Sequence, residues 1–218
     1  MPTRTDTELL ARCRRIGTST WSDALDECGI DGVVRGLVKR GGQGRVAAFA
    51  VTATEIVGHR GQFAKSEFGV GRLVAACGPD VALLVDMGGA EVSTFGGLAS
   101  LAASMRRAGA VIVDGACRDA DEIAATGLWL ASRHVTPTTG KTRVKLTAMG
   151  EPVTIGGIVA RQGDLVVADD TGIAIVPRGE VARVLAVAER MLGMDHQIER
   201  AIRDGQSFAD AAKAANYI

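Results

Sequence analysis

The chain has 218 residues, 47% of them hydrophobic and 23% charged, so it is long enough to bury a sizeable core. Lys plus Arg and Asp plus Glu number 25 each, so no net charge draws it to nucleic acid or to an anionic membrane. The first residues have no apolar signal core, and no apolar run approaches the roughly 18 residues of a membrane span. We therefore expect a cytoplasmic protein without nucleic-acid or membrane partners.

The first part of the chain mixes helical and strand patterns. Apolar residues at helical spacing predict a helix from Thr5 to Ile16. A second helix follows, which Ser19 or Thr20 can cap and Gly29 can end. Small and β-branched apolar residues at 45–57 indicate a buried strand.

The middle of the chain has the pattern of a strand, a helix and a second strand. Helical spacing returns at 62–77, and apolar strands are predicted at 81–87 and 110–115, with a small-residue helix at 98–109 between them. Such a unit places its two strands parallel with a right-handed crossover. Its functional groups are expected at the carboxyl ends of the strands, which here include 114–119.

The last part of the chain is predicted to form strands and then helices. Strands are expected at 128–132, 142–149, 152–160, 164–170 and 172–177. Asp169 to Gly172 has the composition of a hairpin turn, and a long helix at about 180–203 precedes a short one. We predict an α/β protein with one domain over 1–218 and helical segments at about 5–28 and about 180–216.

Arg118 and Asp119 are the leading candidates for chemistry because they directly follow a predicted buried strand. Arginine binds a carboxylate with two parallel hydrogen bonds, and aspartate supplies the hard oxygen that Mg²⁺ prefers. The alternative is an exposed ion pair that opens a helix.

A glycine turn precedes the small-residue helix. The first amides of a helix have no partner within it, so the amides of Leu98 and Ala99 can share an anion with Arg118. The alternative is a plain turn between a strand and a helix. Asp86 to Gly89 resembles an acidic, glycine-rich nucleotide loop only weakly. The sequence has no GxGxxG, GxxxxGK[ST], HExxH or GxSxG pattern, and its four cysteines form no CxxC pair.

Five segments carry a resemblance to a known family. They are TSTWSDAL, VDMGG, FGGLASLAA, VDGACRDADEI and PVTIGGIVARQGDLVVADDTGIAIVP. In this order they resemble the RraA-like proteins, which include 4-hydroxy-4-methyl-2-oxoglutarate aldolase and the regulator of ribonuclease activity. The most specific element joins Gly97, through twenty residues, to Arg118, Asp119 and Glu122. Some relatives carry a demethylmenaquinone methyltransferase label, but no methyl-donor motif is present here.

The resemblance implies a compact α/β sandwich similar to the swivelling phosphohistidine domain, assembled as homotrimers or hexamers. It implies a divalent-metal-dependent lyase that cleaves a 4-hydroxy-2-oxo acid to pyruvate through a metal-stabilised enolate, or that decarboxylates an oxaloacetate-like acid. Asp119 would then bind Mg²⁺, Mn²⁺ or another divalent metal. Arg118 would bind the substrate carboxylate, with help from Gly97, Leu98 and Ala99.

Position 97 departs from the aldolases of this family, where an acid usually helps to organise metal-bound water. Here it is Gly97, and Glu91 or a C-terminal acid such as Glu199 of a neighbouring subunit is a candidate replacement. Two alternatives follow. One is a non-catalytic regulator that binds a ribonuclease or another protein, and the other is an enzyme acting on a different small acid.

Overall fold

The computed structural model describes residues 4–215, which form seven α-helices and eleven strands joined by loops. The helices are α1 (Arg4–Cys13), α2 (Thr18–Glu27), α3 (Val70–Ala76), α4 (Gly97–Met105), α5 (Ala120–Ala125), α6 (Val181–Arg203) and α7 (Phe208–Ala214). The strands are β1 (Val38–Gly41), β2 (Val46–Val57), β3 (Val81–Asp86), β4 (Ser93–Phe95), β5 (Ala110–Cys117), β6 (Leu130–Val135), β7 (Val144–Met149), β8 (Val153–Ile155), β9 (Ile158–Ala160), β10 (Leu165–Ala168) and β11 (Ile173–Val176). No helix in this part of the chain is both long and apolar enough to cross a bilayer. Residues 1–3 and 216–218, including the end of the predicted C-terminal helical segment, lie outside the described residues.

A curled nine-stranded sheet forms the centre of the molecule. Its main path runs β1-β6-β5-β3-β2-β10-β11, with β4 beside β5 and β7 beside β2. The strands β2, β3, β5 and β6 pair in parallel, whereas the outer pairs are antiparallel. The predicted α/β class and the parallel pairing of β3 with β5 are confirmed.

Helices and a small hairpin cover the sheet and bury three apolar clusters. One lies under α3, α4 and α5, where Leu73, Ala103 and Ile123 pack on the central strands. A second lies between α1, α2, α6 and the strands β10 and β11. The third is covered by the β8–β9 hairpin, a separate two-stranded sheet. The carboxyl ends of β3, β4 and β5 therefore stand at one edge, bordered by α4 and α5.

Most predicted elements are present, but β1 and β4 were not predicted, and two predicted elements differ from the structure. The predicted strand at 152–160 is in fact the two strands β8 and β9, because Gly156 and Gly157 make a turn between them. The predicted helix at 62–77 is wrong in its first half, which contains only a 3₁₀ turn at Lys65–Phe68. Gly69 breaks it with a φ of +70°, and a Cβ there would lie 2.4 Å from the Cβ of Leu146.

The cap of α2 also differs from the prediction. Gly17 is the N-cap, and neither Ser19 nor Thr20 caps the helix. Instead the Asp169 carboxylate accepts a hydrogen bond from the backbone N of Thr18 at 2.9 Å and another from its hydroxyl. Asp169 also accepts from the backbone N of Thr171 within the predicted hairpin turn, which is confirmed. These bonds keep the pKa of Asp169 below its usual value despite the opposing effect of burial.

Asp86 at the end of β3 and Asp114 within β5 hold the β8–β9 hairpin. Asp114 is 5% exposed and forms a bidentate pair with Arg133, with an Nε to Oδ1 distance of 2.5 Å. Its Oδ2 also accepts a hydrogen bond from the backbone N of Gly156 at 2.7 Å. Asp86 accepts from the backbone N of Gly88 and of Thr154, both at 2.9 Å. The loop after β3 is therefore a structural joint, which explains its acidic and glycine-rich composition without a nucleotide.

Candidate functional site

The strand ends at β4 and β5 place Arg118 and Asp119 side by side. The backbone N of Arg118 donates to the Phe95 carbonyl at 3.0 Å, which extends the pairing of β4 with β5 by one residue. Asp119 is the N-cap of α5 and has left-handed backbone angles, with φ 55° and ψ 49°. Among residues other than glycine, aspartate and asparagine tolerate this region best. This turn directs both side chains away from the sheet.

Gly96 allows the start of α4 to lie against these two side chains. A Cβ on Gly96 would be 2.7 Å from the Asp119 Oδ2 and 3.0 Å from the Arg118 Nε, closer than side-chain carbons normally come. The Asp119 Oδ2 also accepts a hydrogen bond from the backbone N of Gly97 at 3.1 Å and lies 3.3 Å from the Arg118 Nε. The carboxylate is therefore held by an amide and a guanidinium at once.

Gly97 leaves room for a second carboxylate. A Cβ on Gly97 would lie 1.8 Å from the Oε2 of Glu122 and 2.8 Å from its Cβ. The Glu122 side chain thus occupies the space that a side chain at position 97 would fill. Because Glu122 is exposed on the first turn of α5, its carboxylate can reach the edge of the same site as Asp119. An acid is present at this place although residue 97 is glycine.

One cavity of about 200 Å³ opens over these residues. Arg118, Asp119, Leu98 and Ala99 line it, and Gly97 lies directly behind them. The structure therefore brings together all five residues that the sequence singled out. The amides of Leu98 and Ala99, at the start of α4, have no partner within the helix, and both residues line the same space.

Other candidates from the sequence lie elsewhere. Glu91 is exposed, stands 3.7 Å from a ring nitrogen of His134 and does not line this cavity. Its role as a replacement for the missing acid stays a prediction. Glu199 pairs with Arg203 of the same helix at 2.6 Å, and this pairing lowers the pKa of Glu199. That Glu199 of a neighbouring subunit replaces the acid missing at position 97 stays a prediction.

Sequence reasoning missed part of the cavity. Thr94, Thr139 and Lys141 line it, together with the apolar Phe68 and Val70. The loop that carries Thr139 and Lys141 is docked on β4, where the backbone N of Ser93 donates to the Thr138 carbonyl at 3.0 Å. The TPTTGK composition of this loop was the available signal, because glycine and hydroxyl residues before a lysine are common in anion-binding turns.

A buried acid lies behind the cavity wall. Glu55 on β2 is 3% exposed, and neither carboxyl oxygen has a hydrogen-bond partner of good geometry within residues 4–215. Burial raises the pKa of Glu55 to about 7, and the hydroxyl of Thr94 opposes this rise only in part. Thr94 also lines the cavity, so it lies between the cavity and this acid.

The carboxylate oxygens at this site suit a hard divalent cation that is bound only in part by protein ligands. No group of three or more His, Cys, Asp or Glu side chains converges anywhere in the described part of the chain, so a site made only of protein ligands is absent there. Asp119 and Glu122 both approach Gly97 and offer carboxylate oxygens. Mg²⁺ is commonly bound by one or two carboxylates, with water and substrate completing its shell. The residues present therefore fit Mg²⁺ or Mn²⁺.

Comparison with known proteins gives a family match. The family model described as RraA-like, Aldolase/RraA, matches residues 18–175. A protein of Halalkalibacterium halodurans, named as a candidate 4-hydroxy-4-methyl-2-oxoglutarate aldolase, is 33% identical over 43% of this chain and 44% of its own length. The chain spans between 33% and 62% of the length of the curated relatives it matches.

Solved structures give the same fold. An uncharacterized protein from Pseudomonas syringae pv. tomato has a TM-score of 0.83 at 25% identity, covering 94% of this chain and 96% of that one. RraAS2 of Streptomyces coelicolor, an unusual member of the RNase ES inhibitor RraA protein family, has a TM-score of 0.75 at 22% identity over 94% and 100% of the two chains. The family thus contains proteins named as aldolases and proteins named as inhibitors.

We expect Glu55→Met to stabilise the protein in a pH-dependent way. Below about pH 4.5 the carboxyl is protonated in both states and contributes nothing. Between pH 4.5 and 7 the unfolded chain releases the proton and the folded chain retains it, so the wild type loses up to about 3 kcal/mol as pH rises. Urea unfolding at pH 4.5 and pH 8 measures the difference.

The exposed acid Glu151 supplies the control for Glu55→Met. Glu151→Met removes the same charge without relieving a buried carboxyl, so its effect should stay within about 0.5 kcal/mol at both pH values. If Glu55→Met gives no greater gain at pH 8 than at pH 4.5, Glu55 does not have the raised pKa.

Proposed function

The chain belongs to the RraA-like family, and on this basis we propose that it is a divalent-metal-dependent lyase that cleaves a 4-hydroxy-2-oxo acid to pyruvate. One observation carries the proposal. The guanidinium of Arg118, the carboxylate of Asp119 and the start of α4 line one small cavity, and the Glu122 carboxylate lies beside Gly97 next to them. These groups can bind an oxo acid at its carboxylate and a cation beside it, which is what cleavage next to a keto group requires.

Arg118 and the start of α4 bind the substrate carboxylate in this proposal. The guanidinium supplies two parallel hydrogen bonds, and the amides of Leu98 and Ala99 add the positive end of the helix dipole. Both side chains of the Arg118 and Asp119 pair remain about one third exposed, so the guanidinium can reach a ligand without breaking a buried contact. The carboxylate is thereby fixed with its keto group toward Asp119.

Asp119 would hold the cation, with Glu122 beside it, and Glu122 would move the proton. A bound Mg²⁺ or Mn²⁺ supplies Lewis-acid charge that stabilises the electron pair developing next to the keto group. Glu122 Oε2 accepts the proton of the 4-hydroxyl as the bond between C3 and C4 breaks, and returns it to C3 so that pyruvate forms. The remainder leaves as a carbonyl compound. Loss of CO₂ from an oxaloacetate-like acid leaves the same electron pair at C3, so the site also suits that decarboxylation.

We expect Asp119→Ala to abolish pyruvate release, as a chelator should, because no other carboxylate occupies its position. Arg118→Ala should lower kcat/KM about 100-fold or more, mainly by raising KM, since a charge-assisted bidentate contact is lost. A coupled assay with a panel of 4-hydroxy-2-oxo acids and oxaloacetate, with and without Mg²⁺ or Mn²⁺, measures both.

The exposed Asp121 on the first turn of α5 provides the matched control for these variants. Asp121→Ala removes the same type of charge two residues from Asp119 and should retain wild-type turnover. Near-normal rates in both Asp119→Ala and Arg118→Ala would eliminate the site. Binding of a ribonuclease without turnover of any oxo acid would indicate a regulator of the inhibitor type instead.

We expect Gly97→Ala to lower kcat about tenfold or more while the protein still folds. The new Cβ takes the place of the Glu122 carboxylate and pushes it aside. The new Cβ would also lie 2.8 Å from the Cβ of Glu122, so the starts of α4 and α5 must shift apart and the unfolding free energy should fall by about 1–3 kcal/mol. Glu122→Gln should cause a similar loss, and combining the two changes should add little.

Gly193→Ala is the control for the glycine variant, because Gly193 lies in α6 and a Cβ added there would have nothing within 4 Å. It should gain stability and keep full activity. Full activity in Gly97→Ala, together with a correctly folded protein, would show that Glu122 has no part in the reaction.

An exposed apolar stripe beside the cavity supports the proposed assembly into homotrimers or hexamers. Leu98, Leu101 and Met105 share one face of α4 and are 82%, 50% and 78% exposed. A contiguous apolar surface of this kind usually marks a protein interface. Because Leu98 also lines the cavity, a second copy of the chain packed on this face would border the active site.

We expect light scattering to show an oligomer for the wild type and monomers for a Leu101→Glu, Met105→Glu variant, because two charges would be buried in the interface. Val159→Glu is the control, since Val159 is 54% exposed on β9, away from this stripe. A monomeric wild type, or a double variant that stays oligomeric, would contradict the interface.

A further inference from the structure

A second, strongly basic cleft adjoins the catalytic cavity. It has a volume of about 480 Å³ and shares Thr139 and Lys141 with that cavity. Four cationic side chains line it, and no acidic side chain does: Arg60, Lys65, Lys141 and Arg143. None of the four forms an ion pair within residues 4–215. Four unneutralised cations in one concave surface indicate an anionic ligand.

The cleft is built by two loops that are joined through their backbones. The backbone N of Gly58 donates to the Arg143 carbonyl at 2.8 Å, and that of Phe63 donates to the Thr142 carbonyl at 3.3 Å. Gly61 donates to the Thr142 hydroxyl oxygen at 3.2 Å. The cations are therefore carried by fixed loops, which lowers the entropic cost of ordering them around a ligand.

Thr142 has an unfavourable backbone at this position. Its φ is +64°, in the left-handed region that β-branched residues rarely adopt. Such strain persists where the surrounding structure requires it, and it is often found at ligand sites. The Thr142 oxygen accepts a backbone hydrogen bond, and so does the Thr139 oxygen, from Lys141 at 3.3 Å. Both hydroxyl hydrogens remain available to donate to an anion.

We propose that this cleft binds a phosphate group at the far end of the substrate, so that the protein acts on phosphorylated 4-hydroxy-2-oxo acids. The inference rests on the proposed lyase function. A carboxylate has two acceptor oxygens and one charge, which a single arginine satisfies. A phosphate monoester has three acceptor oxygens and a charge of about −1.5 to −2, which matches several cations and two hydroxyl donors.

The phosphate ester contributes only to substrate binding and takes no part in the bond changes. The bond between C3 and C4 breaks, and its electron pair stays on C3. The 4-hydroxyl loses its proton and becomes the carbonyl of a phosphorylated aldehyde, while C3 gains a proton to give pyruvate. Atoms and charge balance without any co-reactant. The cations over the phosphate fix the leaving half while Arg118 fixes the pyruvate half.

The first experiment uses inorganic phosphate and calorimetry, and it does not depend on turnover. Wild type and Arg72→Ala should bind phosphate with similar affinity, because Arg72 is exposed on α3 and lines neither cavity. A variant with Arg60→Ala and Lys65→Ala should bind it at least about tenfold more weakly. Arg118→Ala should retain binding, which separates this cleft from the catalytic cavity. Equal affinity in all four proteins, or no binding to wild type, would overturn the proposal.

The second experiment compares phosphorylated and unphosphorylated 4-hydroxy-2-oxo acids of the same carbon length. Wild type should have a KM at least about tenfold lower for the phosphorylated acid, and in the double variant this ratio should approach one. Equal KM values in wild type would contradict the phosphate subsite while leaving the lyase intact. Phosphate binding at the cleft without turnover of any oxo acid would leave the subsite standing and remove the lyase.

Discussion

The absence of side chains at Gly96 and Gly97 determines the arrangement of the whole site. It lets the first turn of α4 lie directly on the end of β5, so that the amide of Gly97 reaches the Asp119 carboxylate. The same two positions leave room for the Arg118 and Glu122 side chains. A methyl group at either place would separate elements whose contact brings together the charged groups and the helix amides. The proposed chemistry therefore depends on a close backbone approach as much as on the charged residues.

The position of the site could be predicted from the sequence because it follows from local patterns. Apolar runs identified β3 and β5, and parallel strands must end at the same edge, which placed Arg118 and Asp119 beside the turn before α4. Contacts between distant segments could not be predicted in this way. The Asp169 carboxylate caps a helix 151 residues away, and Leu146 stands where any side chain at Gly69 would have to go. Neither partner has a signature in its own segment.

The acids of this protein differ in how deeply they are buried and in how many bonding partners their carboxylates have. Asp114 is almost fully buried, but a guanidinium and a backbone amide satisfy it, so it serves the hairpin joint. Glu55 is as deeply buried without such partners, which costs stability above neutral pH. Asp119 stays partly exposed with one amide and one guanidinium, leaving its second oxygen for a ligand. The hydrogen bonds and ion pairs that each carboxylate receives, rather than the residue type, distinguish these three acids.

The affinity of the Asp119 carboxylate for a divalent cation is the central claim, and calorimetric titration of the purified protein with Mn²⁺ tests it most directly. Wild type and Asp121→Ala should bind one Mn²⁺ per chain with the same affinity. Asp119→Asn, which keeps the shape and removes the charge, should bind it at least about 100-fold more weakly. Equal Mn²⁺ affinity in Asp119→Asn and wild type, or no binding to wild type, would contradict the claim.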